Sequence, residues 1–312
     1  MAPRTDATIS TIWTRGESSS SRKRAIDSIV DARGILPSMR WAAFQTPRGR
    51  AIGWALAIGI LTVTITGWAV AIISATDWFG RSFAIDYGIY MNALDRWQAG
   101  GGWYQDRQLH GPYPIALGDV LYPPVLIYLL FPFRYLGPWL WTLIPAAIIG
   151  AVVWRHRPGP WTWVGIALCL AWPYSPAKFV FGNPVIWCTA AVALGTLWWW
   201  PSALAVIKPT IIPFALIGMR DRRWWLVIVA LGIASIPFLA DTLIYPLVLL
   251  DAQTNPIDGR GGIFYSITEF PLVAIPIVAW LGTRIRRVDR VDVSSQGMAA
   301  PEATAPPEPL PG

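Results

Sequence analysis

The chain has 312 residues, of which 54% are hydrophobic and only 14% charged, and it carries a net charge of +7. An average soluble domain carries about 25% charged residues, and 20 tryptophans and 28 prolines accompany the deficit here. A disordered chain, a collagen-like chain and an ordinary cytosolic enzyme are excluded; what remains is an all-α, polytopic membrane protein whose polar residues are few enough to weigh singly.

The basic excess does not mark a nucleic-acid partner. Residues 1–50 hold nine Lys/Arg against four Asp/Glu, and most of the remaining basic residues cluster at the ends of apolar runs. That arrangement orients a membrane protein. Cys169 and Cys188 both fall inside apolar runs and read as packing thiols, so neither a disulfide framework nor a metal site is expected, and no cofactor is implied.

Taken in chain order, residues 1–51 read as a basic, mostly disordered cytoplasmic segment, with a short surface helix over 26–32. The first apolar run, 52–75, has 24 residues, about 36 Å as a helix, and is long enough to span a bilayer. It is expected to act as an uncleaved anchor, since fifty mostly polar residues precede it. A polar insertion follows at 76–121. The further apolar runs are 122–136, 139–154, 161–174, 184–200, 201–219, 224–250 and 264–283. The transmembrane domain is thus set at 52–287, and a disordered, Pro-rich cytoplasmic tail at 288–312.

Arg155-His156-Arg157, Arg220 to Arg223 and Arg284 to Arg290 mark cytoplasmic ends by the positive-inside rule. The segments 76–121, 175–183 and about 245–263 then lie outside. The count closes only if 122–154 makes one net crossing and 201–219 enters and leaves on the same side. Both are proline-interrupted, as backbone lining a buried cavity often is. Reading 122–154 as two plain spans would instead put Arg155 to Arg157 outside. The location expected is the plasma membrane, multi-pass, with both termini cytoplasmic.

Forty-six residues are far more than a connection between two spans needs, so 76–121 is expected to carry function. Phe83, Tyr87, Tyr90, Met91, Leu94 and Trp97 recur at helical spacing and predict an amphipathic helix lying at the membrane interface. At about 100° per residue, Asp95, Asn92 and Arg96 fall on its polar face. Asp86 falls at the edge of the apolar stripe, directed toward protein or membrane, where desolvation makes a carboxylate a better base; local capping or pairing is the plainer alternative. The glycines at 100–102 should end this helix. The aromatic residues that follow suit stacking on sugar rings or simple interfacial anchoring.

Asp86-Tyr-Gly-Ile-Tyr90, then Ala93, Trp97, Gly100 to Gly102, Trp103-Tyr104 and Tyr122-Pro-Pro124 together resemble the first outer loop of glycosyltransferase family 87. These are polyprenol-phosphate-sugar-dependent transferases of the GT-C superfamily. Gly182-Asn183-Pro184 is similar to an element that is usually Gly-Gln-x-Asn in that family, and Lys208-Pro209-Thr210 resembles its Lys-Pro. The resemblance covers about residues 52–225, and the chain is shorter than most members. It implies transfer of mannose or a similar sugar from a polyprenyl-phosphate donor to a lipid or glycan acceptor at the outer face. It also places the catalytic aspartate at Asp86.

Such a reaction needs a base for the acceptor hydroxyl, a cationic site for the leaving phosphate and a dry cleft. Inverting displacement uses one carboxylate, unlike the pair of a glycosidase. Lys208 is the candidate phosphate contact, because a charge within an apolar run costs roughly 2.5–3.5 kcal/mol on insertion scales and is functional by default. Snorkelling, or pairing with a buried acid, is its alternative. Arg260, His110 and Lys178 are weaker phosphate or hydroxyl contacts, while Tyr87, Tyr90, Tyr104, Tyr113, Tyr122 and Asn183 are expected to line the cleft. The competing class is a non-catalytic protein: a transporter, a scaffold or an inactive relative acting with a partner subunit. A transporter should show broken helices paired in two similar halves, whereas the two broken segments here are unlike in sequence.

Overall fold

The computed structural model describes residues 46–74, 83–111, 113, 118–254 and 267–296. The chain divides into two units, Met1–Gly49 and Arg50–Gly312. Residues 26–32, Arg260 and the end of the chain from 297 lie outside the described residues.

Among its described residues, the second unit is built of helices joined by turns and loops, with no strand. Helix α1 (Pro47–Ser74) and the stretch Pro124–His156, which contains α3 (Ile127–His156), are long and apolar enough to cross a membrane. Two further pairs qualify if each bent pair is one span: α4 (Pro160–Ala171) with α5 (Tyr174–Phe181), and α8 (Arg222–Ala234) with α9 (Leu239–Thr254). The pairs bend by 61° and 44°, at Pro173 and near Ser235-Ile236-Pro237, where proline removes a donor and crowds the preceding turn. The expected run 224–250 is therefore broken. The stretch 122–154 is broken too: a 3₁₀ turn Pro124–Leu126 leads into α3, and α3 is kinked at Gly137, where φ 76° and ψ 172° are non-helical and open to glycine.

Most of α6 (Val185–Trp198) is buried, and it packs on α3, on α10 (Phe270–Gln296) and on the segment that follows it. That segment is broken as the prolines predict. It comprises a 3₁₀ stretch Trp200–Ile207, the turn Pro209–Ile211, the short α7 (Ile212–Ala215) and a second turn Leu216–Gly218. Its two arms lie together: the Ser202 hydroxyl donates to the Ala215 carbonyl at 2.8 Å, and a Cβ on Gly218 would sit 2.1 Å from the Trp199 carbonyl oxygen. The excursion thus returns to where it began, with Lys208 at its turn.

Contacts at this base also gather the basic ends of other helices. His156 Nε2 is 2.7 Å from Thr196 Oγ1, and Arg284 stacks on Trp280 at 4.2 Å and Trp199 at 5.7 Å. Helix α10 continues to Gln296, past residue 288, where the disordered tail is expected to begin.

The loop helix α2 (Ile85–Gln98) forms where the aromatic spacing predicts it. Its apolar stripe is covered by protein rather than left to lipid. Tyr90, Ala93 and Leu94 are buried; Trp97 meets Phe238 at 5.2 Å and Tyr87 meets Trp141 at 6.0 Å. Gly100, at φ 84°, ends the helix, with the Gly100 and Gly101 amides donating back to the Trp97 and Arg96 carbonyls. Arg96 does not stay on a solvated face: its guanidinium donates to the Gly102 and Trp103 carbonyls and closes the turn. Asp95 is exposed and pairs with Arg134 at 3.0 Å.

Candidate functional site

At the end of the bundle opposite the basic cluster, five separate segments bring polar side chains together in an otherwise apolar interior. The first is the N-terminal turn of α2. The Ala84 amide donates to the Val180 carbonyl at 2.7 Å and ties this turn to the end of α5. Gly182 then turns the chain at φ 67°, and a Cβ there would press on Tyr87 at 3.1 Å. That turn delivers Asn183 to Asp86, where Asn183 Nδ2 donates to Asp86 Oδ2 at 2.6 Å.

Tyr122 supplies the second side chain, held by its own backbone. Its carbonyl accepts from Trp103 Nε1 at 3.0 Å and from the Tyr104 hydroxyl at 3.3 Å. The Tyr122 ring stands edge-on to Tyr90 at 5.5 Å, and its hydroxyl reaches Asn183 Oδ1 at 3.3 Å. The broken segment brings Lys208, whose ammonium is 3.1 Å from the Tyr122 hydroxyl. Lys208 also contacts both oxygens of Glu269, at 2.7 and 2.6 Å. Lys178, from α5, approaches Glu269 Oε1 at 3.1 Å from elsewhere.

Glu269 and Lys178 are almost wholly buried, and the Lys208 side chain is 13% exposed. Two ammonium groups face one carboxylate, and Asp86 is close enough to feel all three. Burial holds the Asp86 carboxyl above its ordinary range; the Asn183 hydrogen bond and the charges of Lys178 and Lys208 oppose that rise, and Glu269 adds to it. Asp86 is therefore a carboxylate whose proton affinity has been raised yet whose ionised form keeps a donor.

An apolar cavity of about 400 Å³ abuts this cluster. Its lining includes Val125, Leu126, Leu129, Pro184, Cys188 and Ile207. Pro184 follows Asn183, Ile207 precedes Lys208, and Val125 lies one turn beyond Tyr122, so the cavity and the cluster share stretches of backbone, while the polar side chains themselves do not line the cavity.

Of the residues expected at a site, Asp86, Tyr90, Tyr122, Asn183 and Lys208 are brought together. Tyr87 borders them, its hydroxyl donating to the Phe133 carbonyl at 2.8 Å. Tyr104 and Tyr113 are buried braces of the loop instead: Tyr113 donates to the Val248 carbonyl at 3.1 Å and accepts from Gln108 at 3.2 Å. His110 is exposed and stands apart from the buried cluster. Lys208 takes the alternative foreseen for it, pairing with a buried acid.

That acid, Glu269, is the residue that sequence reasoning missed. The signal was present, because Glu269 lies inside the apolar run 264–283, and an ionisable group there is as anomalous as Lys208. No family model, curated protein or solved structure matches the chain.

Proposed function

We propose that the chain is an integral-membrane, polyprenol-phosphate-sugar-dependent glycosyltransferase, with Asp86 as the general base. The observation that carries this reading is a cluster of two carboxylates, Asp86 and Glu269, with Lys178 and Lys208, set among apolar helices, close in the chain to residues that line an apolar cavity. A donor of this class has that same division, an apolar chain joined to a phosphate.

In the reaction, the acceptor hydroxyl gives its proton to Asp86 as its oxygen attacks the anomeric carbon from the face opposite the phosphate. The bond from the anomeric carbon to the phosphate oxygen breaks, and the electron pair leaves with the phosphate. Lys208, with Lys178 behind it, offsets the charge that develops there. Negative charge thus passes from the Asp86 carboxylate to the leaving group, and the net charge of the site stays constant.

The membrane arrangement belongs to the same proposal. With Arg155 to Arg157, Arg220 to Arg223 and Arg284 at the cytoplasmic side, the broken segment rises from that side and returns to it, as the meeting of its arms supports. The cluster then faces the outer leaflet, both termini are cytoplasmic and 76–121 lies outside. The acceptor is a lipid or glycan of the cell envelope.

One observation favours a second reading, a non-catalytic membrane subunit. Lys208 already has both Glu269 oxygens and the Tyr122 hydroxyl as partners, so its charge is offset without a ligand. The test is purified protein in liposomes with a panel of polyprenyl-phosphate sugars. Release of polyprenyl phosphate that is lost in Asp86→Asn supports the transferase. The absence of release with every donor, from protein that is folded and oriented, supports the subunit.

A further inference from the structure

The polar groups of the site form an unbroken chain, and their chemistry fixes the direction of every link. A backbone amide only donates, so the Val185 amide, 3.0 Å from the Asn183 side-chain oxygen, settles which way that amide group points. Asn183 Nδ2 must then be the group that donates to Asp86. An ammonium likewise only donates. The Tyr122 oxygen therefore accepts from Lys208, and its single hydrogen is left for Asn183 Oδ1. Lys208 gives to Tyr122, Tyr122 to Asn183 and Asn183 to Asp86. Bonds aligned in this way polarise one another, and in a low-dielectric interior each strengthens the next.

We propose that Tyr122 and Asn183 are positioning residues that tie the Asp86 carboxylate to the Lys208 ammonium, so that the charge at one end of the site is felt at the other through hydrogen bonds. This deepens the transferase reading, and rests on it only for the use to which the coupling is put. There, a phosphate drawing Lys208 away from Tyr122 weakens donation to Asp86 as the acceptor proton arrives. The coupling itself needs no substrate. The groups facing Asp86 are Asn183 from the turn after α5, Lys178 from α5, Lys208 from the broken segment and Glu269 from the residue before α10. Through-space charge from the last three acts whether or not Tyr122 has a hydroxyl. The hydroxyl itself isolates the chain.

The experiment follows the protonation of Asp86 by infrared difference spectroscopy of the full chain in nanodiscs without donor. The Asp86 carboxyl band is assigned as the one lost in Asp86→Asn. Tyr122→Phe keeps the ring and removes the link, and should raise the Asp86 midpoint by about 0.3 of a pH unit. Lys208→Met should raise it also, and the double variant should shift it by less than the two single shifts together. An unmoved midpoint in Tyr122→Phe, or full additivity in the double variant, overturns the proposal. Should Tyr122→Phe fail to fold, Asn183→Ala tests the last link, with an expected rise of about 1 to 2 pH units, and no rise there overturns it equally. Failure of the transferase reading leaves these shifts intact, so the two outcomes are separable.

Discussion

Glu269→Gln is the perturbation whose size the structure best defines. Glu269 Oε1 lies 2.7 Å from the Lys208 ammonium and 3.1 Å from that of Lys178, so the two cations are no more than about 6 Å apart. At an effective dielectric of about 20, two unit charges at about 6 Å repel by roughly 2.8 kcal/mol. That repulsion is present in the native chain, where Glu269 offsets it; removing one partner of a buried pair costs about 3–5 kcal/mol in general, which sets the scale of the loss. Both ammonium groups are largely shielded from water, which leaves little solvent screening. For a unit of this size, about 3–5 kcal/mol corresponds to a fall in Tm of roughly 6–20 °C. The assay is thermal unfolding of the detergent-solubilised chain. Adding Lys178→Met to Glu269→Gln should recover part of the loss, because the repulsion between the two cations is then gone while Lys208 still lacks Glu269. A Glu269→Gln variant that unfolds with the native protein refutes the reasoning, since it would show that the lysines do not depend on this carboxylate.

Asp86→Asn should lower turnover by about 10²–10⁴-fold, the usual contribution of positioned proton transfer, with donor affinity kept. Because burial raises the Asp86 proton affinity, its ionised form is disfavoured by folding; the stabilising effect of its protonated form is lost as pH rises through the folded value, so Asp86→Asn should unfold slightly later than the native chain at pH 7. For the same reason, turnover should fall on acidification at a pH above the ordinary aspartate range, which a pH–rate profile reads. Lys208→Met should weaken donor binding, measured by titration of a polyprenyl-phosphate sugar, and unchanged affinity would leave Lys208 a purely structural partner of Glu269. Asp95→Asn, which removes an exposed pair with Arg134, should change stability by about 0–1 kcal/mol and leave turnover intact. Gly102→Cys, at an exposed position of the loop, should be labelled by an impermeant thiol reagent in intact cells; protection would place the loop on the other side.

The helices were legible wherever one periodicity dominates. Six residues at helical spacing predicted α2, and prolines predicted the broken segment. The bends of 61° and 44° were less visible, because unbroken hydropathy in 161–174 and 224–250 outweighs one proline when runs are read by length. The direction of the α2 stripe was misjudged for a related reason. Apolar residues facing lipid and apolar residues facing protein have the same composition, and only packing partners such as Trp141 and Phe238 distinguish them. Asp86 was legible because its angle on the helix differs from those of Asp95 and Asn92, and that angle decides what it meets.

Glu269 shows what a linear reading loses. Lys208 drew attention as a charge in an apolar run, and Glu269 met the same criterion in the final run, 61 positions later. A search for the counter-charge of each intramembrane ion would have paired them, since an isolated one is costly to bury. The pairing also explains why the chain breaks where it does. A continuous helix through 201–219 would carry Lys208 away from the ends of α5 and α10. The turn at Lys208-Pro209 stops it instead among Tyr122, Lys178 and Glu269, with its backbone protected by the returning arm and by α6. A Cβ at Gly195 of α6 would lie 2.6 Å from that of Ser202, so the close seating of this arm depends on a glycine. Holding a cation at the turn of a segment whose two arms meet therefore requires three features together: the prolines, the small residues of α6 and the buried acid. Each alone reads as ordinary packing, and their convergence on Lys208 distinguishes a constructed charge site from a tolerated one.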